Sequence, residues 1–286
     1  MLSLKNQIIL GNVTDVLPTF PDKCIDLVVT SPPYDNLRTY EDNAEFNWDV
    51  FCKTVFELYR IVKNGGVVVW IVGDETKSFN ESGSSFKQAL HFKEQGFNLY
   101  DTMIFQKKGI SFPAYRKYTQ SFEYMFIFTI GKPNTVNLIK DVPNTYAGDK
   151  LTGSFRSRDG VLNKHSGVAM GRMIKDVSVR GNIWPYSVGC HKSTRDLKVF
   201  NHPATFPEKL AHDHIITWSN PSDIVLDPFA GSGTTLKESM LTGRYYVGIE
   251  MVPKYYDLAQ QRLSEHIDFT GGQHGIKGNK CTLKSI

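Results

Sequence analysis

The 286-residue chain is poor in cysteine. Its four, Cys24, Cys52, Cys190 and Cys281, lie far apart and form no Cys-x-x-Cys pair. That spacing argues against a zinc ribbon and a disulfide framework, and it fits a reducing compartment. Long apolar runs are missing too. No stretch of about 18 apolar residues occurs, and the opening MLSLKNQIIL lacks the extended apolar region of a secretory signal. The expected location is the cytoplasm, with no membrane partner. A phosphate-binding loop of the Gly-Lys-Ser/Thr type is also absent.

What remains is an ordinary globular composition, 41% hydrophobic and 22% charged. The length allows one large domain, or a domain with an insertion. Net charge is only +4, but its distribution is uneven. Residues 131–200 hold twelve Lys/Arg against five Asp/Glu, which leaves the rest of the chain slightly acidic. A basic middle in an acidic frame suits either a segment that meets phosphate or a solvated surface loop.

Alternation of apolar runs with helical spacing gives the organisation. NQIILGNVTDVLPTFPDKCIDLVVTSPPY reads as strand, short helix, strand. Phe51, Val55, Leu58 and Val62 recur at helical spacing, Lys63-Asn64-Gly65-Gly66 is expected to end that helix, and residues 67–72 read as a buried strand. Another helix and strand follow, then the aromatic strand SFEYMFIFTIG. Between residues 132 and 199 periodicity fades, which predicts an inserted, loop-rich subdomain. FPEKLAHDHIITWS then predicts a helix, DIVLDPFAGSGTTLKESMLTGRYYVGIE strand–loop–helix–strand, and PKYYDLAQQRLSEHI a last helix before a mobile tail from residue 270. The fold class is α/β, a doubly wound, mostly parallel sheet with helices on both faces.

DIVLDPFAGSGTT carries the most chemistry. A buried strand ends at Asp227, and Gly231 and Gly233 let a ligand approach the backbone before a helix starts near Thr234. Glu250 ends the next strand, 23 residues after Asp227, where an acid is placed to accept from ribose hydroxyls. Leu236 stands where a dinucleotide fingerprint has a small residue, and Asp227 would repel pyrophosphate. A nucleoside bearing a cationic amino-acid group fits, and S-adenosylmethionine is one.

DPFAGSGTT together with TSPPY resembles the DNA amino-methyltransferases, which methylate the exocyclic nitrogen of adenine or cytosine. The order, TSPPY first, a basic region next and the cofactor loop last, is that of the β-class, whose Rossmann-like, seven-stranded sheet is circularly permuted. The resemblance spans roughly residues 6 to 268 and implies a catalytic half (1–131), a target-recognition insert (132–199), a cofactor half (200–269) and a flexible tail (270–286). It implies S-adenosyl-L-methionine as cofactor. The implied cofactor residues are Asn12, His202, Pro203, Ala204, Phe206 and Pro207, the loop Asp227, Pro228, Phe229, Ala230, Gly231, Ser232, Gly233, Thr234 and Thr235, and Glu250. Many relatives carry Asp where this chain has Asn12, and the strand written His-Glu-Tyr in the family is here Phe122-Glu123-Tyr124. RGNIWPY resembles the end of the recognition region.

In this reading Ser31, Pro32, Pro33 and Tyr34 are catalytic. The lone pair of an exocyclic amine is delocalised into its ring, so transfer needs two rigid acceptors aimed at its hydrogens. The resemblance assigns these to the Ser31 side chain and the Pro32 carbonyl, with the prolines fixing the backbone outside the sheet. Tyr34 offers a ring for an extracted base. Ser31, where many adenine enzymes carry Asp or Asn, favours cytosine N4 over adenine N6. Arg38, Tyr40, Arg156, Arg158, Lys164, Arg172, Lys175 and Arg180 are candidate contacts to double-stranded DNA, with Asn163, Ser166 and Arg172 of types that read base edges. A cytosine-C5 mechanism is disfavoured by the lack of a Pro-Cys dipeptide. No metal is expected: His212 and His214 lie two apart on a helix and face different sides, and with His202 they read as surface histidines. A cognate restriction endonuclease is a possible partner, and the state is monomer or homodimer. A non-catalytic nucleic-acid-binding module on the same fold is the rival class.

Overall fold

Eight strands build one sheet: β1 (Gln7–Leu10), β2 (Ile25–Thr30), β3 (Val62–Val72), β4 (Asn98–Lys108), β5 (Phe122–Thr129), β6 (Ile183–Ser187), β7 (Ile224–Asp227) and β8 (Tyr245–Glu250). They come from a computed structural model that describes residues 4–33, 46–109, 116, 118–151, 154–164, 171–189 and 207–270. The spatial order is β1-β8-β7-β2-β3-β5-β4-β6. β5 runs antiparallel to β3 and β4, and every other neighbouring pair is parallel. The last two strands in sequence thus lie between the first two in space, a permuted arrangement.

Seven strands were expected, and the eighth is β6. It arises from the stretch read as the end of the insert, where a five-residue run carrying Pro185 gives little strand signal. Proline has no N–H for a second neighbour, which suits β6 to the sheet edge it occupies. Its Trp184 and Tyr186 turn inward and are buried.

Among the described residues six helices cover the sheet: α1 (Val13–Val16), α2 (Trp48–Ile61), α3 (Ser84–Glu94), α4 (Glu208–Trp218), α5 (Thr234–Leu241) and α6 (Pro253–Thr270). Asn47 starts α2 by accepting from the Val50 N–H at 3.0 Å, leaving Phe51, Val55 and Leu58 as the buried stripe. The helix does not end in a glycine cap as expected. Val62 is already extended and enters β3, and Lys63 to Gly66 form an irregular step in the β2–β3 register. Gly65 there, at φ +77, donates to the Ile130 carbonyl at 2.7 Å.

The sheet is buried on both sides, as a near-continuous valine run requires. Val28, Val68, Trp70, Phe126 and Phe128 pack toward α1 to α3. Leu27, Val29, Val67, Val69 and Ile127 pack toward Leu210, Ile215 and Trp218 of α4. Neighbouring residues of β2 and β3 thus serve opposite layers, each buried side chain contributing about 1.5–3 kcal/mol.

The insert is a ribbon rather than a set of loops. Lys140–Pro143 pairs antiparallel with Val177–Val179, Lys150 bridges Met173, and Ser154–Arg156 pairs with Leu162–Lys164 toward the tip. β-branched Val142, Val177 and Val179 favour the extended backbone. Thr270 closes α6, and the rest of the expected tail lies outside the described residues. No described helix is long and apolar enough to cross a membrane.

Candidate functional site

The carboxyl ends of β1, β8, β7, β2 and β3 share one edge of the sheet, where open α/β folds bind ligands. Asp227 ends β7 and is buried. Its Oδ1 accepts from the Thr30 hydroxyl at 2.7 Å and from the Phe229 N–H at 3.1 Å. Thr30 is the last residue of β2, so Ser31 follows immediately. One hydrogen bond therefore ties the glycine loop to the Ser-Pro-Pro segment, 197 residues away. A second tie joins the Thr235 hydroxyl to the Val29 carbonyl at 3.2 Å.

Glu250, at the end of β8, is held by the N–H groups of Gly231 (2.7 Å) and Val252 (2.8 Å). The carboxylate, with about four lone-pair sites, keeps acceptor capacity beyond its backbone donors. Burial pushes both acids up, Asp227 to about 6, with the charge of Glu250 adding to the effect on Asp227. Among the described residues no lysine or arginine neutralises either one. Two such carboxylates repel phosphate and attract a cation.

The loop between them is braced from below. Gly231 and Gly233 take left-handed conformations, φ +51 and +77, and a Cβ on Gly233 would stand 3.0 Å from Ala259 of α6. Arg262 of α6, fully buried, donates to the Ser232 carbonyl and to Glu208 at 3.2 Å. Lys237 also meets Glu208, at 2.7 Å. Leu236 lies buried against Gly248 of β8, where a Cβ would come within 2.4 Å of it. Sequence reasoning missed Thr30 and Arg262. Thr30 was visible as the residue before Ser31, and Arg262 shares the buried stripe of α6 with Ala259 and Leu263.

The other expected residues divide clearly. Ser31 and Pro33 are half-buried and Pro32 is buried, all beyond the end of the β2 ladder. Pro228 to Thr235 line the loop just described, and buried Pro207 precedes α4. Asn12 sits at the end of β1, yet its side-chain oxygen caps α1, accepting from the Thr14 N–H (3.0 Å) and hydroxyl (2.9 Å). Glu123 and Tyr124 begin β5 on the same edge, Glu123 in an ion pair with Lys107 at 2.5 Å. Tyr34, Arg38, Tyr40, His202, Pro203, Ala204, Phe206 and Ser166 lie outside the described residues.

On the ribbon, Arg156, Arg158, Lys164, Arg172 and Lys175 are exposed. Arg180, expected to contact DNA, differs from these. Its guanidinium is turned inward onto Asp141 and Asp213, and most of its donors are engaged there. Asn163 likewise spends its amide donors on Ser157 (2.8 Å) and Val161 (3.2 Å) within the tip hairpin. His214 is a correction. It is fully buried, not at the surface, packed on Trp184 and in contact with Met125 Sδ at 3.2 Å. Burial drives its imidazole down to about 3, so the ring is neutral. His212 is half-buried beside Glu238, at 3.3 Å.

The chain matches the DNA methylase family, N6_N4_Mtase, over residues 25–261. It is 53% identical over 248 residues to the orphan methyltransferase M.BamHII of Bacillus amyloliquefaciens, covering 86% of this chain and 91% of that protein. The type II methyltransferase M.BglII of Bacillus subtilis is 28% identical, covering 92% of this chain and 70% of that one. Among solved structures, TTHA0409 of Thermus thermophilus, in complex with S-adenosyl-L-methionine, superposes with a TM-score of 0.61 at 25% identity, over 92% of this chain and 94% of that one. The PvuII DNA methyltransferase (cytosine-N4-specific) shares the fold, with a TM-score of 0.63 at 20% identity over 90% and 86% of the two chains. The glycine loop, the acids that end β7 and β8 and the Ser-Pro-Pro segment all fall within the matched span, and the chain belongs to the N6/N4 family of DNA methylases.

Proposed function

We propose that this protein methylates N4 of cytosine, in a DNA sequence recognised by the insert, using Ser31 and the Pro32 carbonyl as the acceptors that orient the amine. Family membership makes it an S-adenosyl-L-methionine-dependent DNA amino-methyltransferase. The residues present fit that cofactor. Two buried acids, which no lysine or arginine neutralises among the described residues, flank a glycine loop, and that suits a ligand carrying a sulfonium and an ammonium. Bound there, it supplies a methyl group on a positively charged sulfur.

The observation that carries the reading is the bond from Thr30 to Asp227. It locks the end of β2 to the glycine loop, so Ser31 and Pro32 are held in a fixed place relative to the residues that would hold the methyl donor. Such positioning is what a poor nucleophile requires. Glu250 is proposed to accept from the ribose, while Asp227 orients the loop and adds negative field from beneath it. Cytosine is favoured because a neutral serine hydroxyl can accept from the amine and donate to the adjacent ring nitrogen. Adenine N6 is the second reading, since its amine presents the same two hydrogens. Residues 1–131 then form the catalytic half, 132–199 the recognition insert and 200–269 the cofactor half. M.BamHII carries the name of an orphan methyltransferase, which favours action without a dedicated endonuclease.

Incubation with duplex DNA and S-adenosylmethionine labelled in its methyl group tests the activity. Label should become acid-precipitable with the DNA. Tight DNA binding with no label incorporated would favour a non-catalytic binding module instead.

A pH dependence follows from Asp227. Its folded value, about 6, lies above the ordinary 3.8, so the folded apoprotein holds a proton that the unfolded chain has lost. Asp227 therefore lowers stability as pH rises from about 4 to about 6. Cofactor binding should run the other way, because the ionised acid attracts the cation. Calorimetry should find affinity about tenfold weaker at pH 5 than at pH 7.5, with Asp227→Asn flattening the difference. An equal pH dependence in the variant would remove Asp227 from the cofactor field.

A further inference from the structure

Arg180 stands where the ribbon rejoins the body, between Val177–Val179 and β6. Its guanidinium grips three elements at once. Nε donates to Asp141 Oδ1 at 3.1 Å and Nη2 to Asp141 Oδ2, a bidentate hold on the opposite strand of the ribbon. Nη1 donates to Asp213 Oδ2 of α4 at 2.7 Å. Tyr186 of β6 donates to that same oxygen at 2.8 Å, and Lys209 to the other at 2.5 Å. Trp184 of β6 lies 5.1 Å from the guanidinium carbon and packs on His214 of α4.

This is a costly way to join two elements. Asp213 is fully buried, and a carboxylate removed from water is stable only when its donors are all in place. Among the described residues the base of the ribbon is also held by Ile139, packed against the core beside α4, and by the Asn137 side-chain amide, which donates to the Ile216 and Ser219 carbonyls at 3.2 and 3.3 Å, but only the Arg180 cluster joins it through charge. Val142, Val177 and Val179 are exposed along its length. Its other strand is tied at Asn137, whose N–H donates to the Thr217 carbonyl at 2.8 Å, again at α4. Directional ion pairs fix geometry where non-directional burial does not.

We propose that Arg180 is a positioning residue: by clamping Asp141 of the ribbon to Asp213 of α4, it sets the angle at which the ribbon meets DNA, and so decides how strictly the target sequence is read. The inference rests on the ribbon being the recognition arm. Because α4 also leads from Pro207 toward the cofactor loop, one helix carries both the arm and the loop's Glu208 brace.

The test uses the full chain, with the methylated sequence first determined on a mixed DNA library. Arg180→Gln, Arg180→Lys and Asp141→Asn are compared with the parent by melting curve, cofactor calorimetry, and kcat and KM on duplexes carrying the target or a single changed base pair. Cofactor affinity should stay within about twofold. KM for DNA should rise, and the ratio of kcat/KM between target and changed duplex should fall about tenfold in Arg180→Gln, the worth of one misread pair. Arg180→Lys should recover part of it, since one amine cannot reproduce a bidentate hold. Asp141 is partly exposed, so its variant carries the same test if Arg180→Gln does not fold. Unchanged discrimination in a folded variant overturns the inference. Arg156→Ala/Arg158→Ala separates the two readings. Weakened DNA binding there, with discrimination intact in Arg180→Gln, sinks the clamp alone, whereas no effect from either sinks the recognition arm itself.

Discussion

Replacing Ser31 by alanine should lower kcat by about 10²–10³-fold, the usual cost of removing one oriented group that stabilises developing charge. The amine of a nucleobase becomes nucleophilic only as its nitrogen turns tetrahedral, and that change is when an acceptor at Ser31 is proposed to strengthen its bond. An interaction gained mainly in the transition state lowers kcat and kcat/KM together and leaves ground-state binding almost untouched. DNA affinity and cofactor affinity should therefore stay within about threefold of the parent. Single-turnover kinetics under enzyme excess is the measurement, because product release is then irrelevant. Thr30 makes the control informative. Thr30→Val removes the hydroxyl that bonds Asp227 while leaving Ser31 in place, so it should weaken cofactor binding as well as turnover. If Ser31→Ala keeps full turnover with enzyme in excess, the assignment of its side chain fails.

The second large effect should come from the ribbon. Arg156, Arg158, Lys164 and Arg172 are exposed, and among the described residues none forms a salt bridge. If each meets a phosphate, converting all four to alanine should lower the slope of log affinity against log salt by roughly 3 to 4. Binding at about 0.1 M salt should weaken by about 10²–10³-fold. The loss should be similar on target and non-target DNA, because phosphate contacts carry no sequence information. Fluorescence anisotropy over a salt series measures both quantities. A slope unchanged from the parent would show the basic excess of residues 131–200 to be solvated surface.

The residues explain why some of this was legible in sequence. Val67 to Val72 are buried on both faces, and a run of valines needs no distant partner to be recognised as strand. The loop from Asp227 to Thr235 is equally local: an acid, two glycines and a helix start within nine residues. Partners chosen across the fold were not legible. Nothing near Arg180 tells that Asp141 and Asp213 will surround it, so a basic residue in a basic segment was read as a phosphate contact. His214 shows the same limit. Its two-residue offset from His212 correctly placed them on different faces, but which face met Trp184 depended on β6, whose proline-broken run gave no strand signal. Thr30 and Arg262 were missed because their roles are hydrogen bonds to residues far along the chain, Asp227 and Ser232.

A Ser-Pro-Pro segment locked to the glycine loop is proposed to methylate the exocyclic amine of cytosine. DNA methylated to completion by the parent protein, digested to nucleosides and weighed by mass spectrometry, tests it most directly. N4-methyl-2′-deoxycytidine as the new product is the predicted result. N6-methyl-2′-deoxyadenosine would contradict the choice of base while keeping the chemistry of the amine, and 5-methyl-2′-deoxycytidine would contradict the mechanism itself.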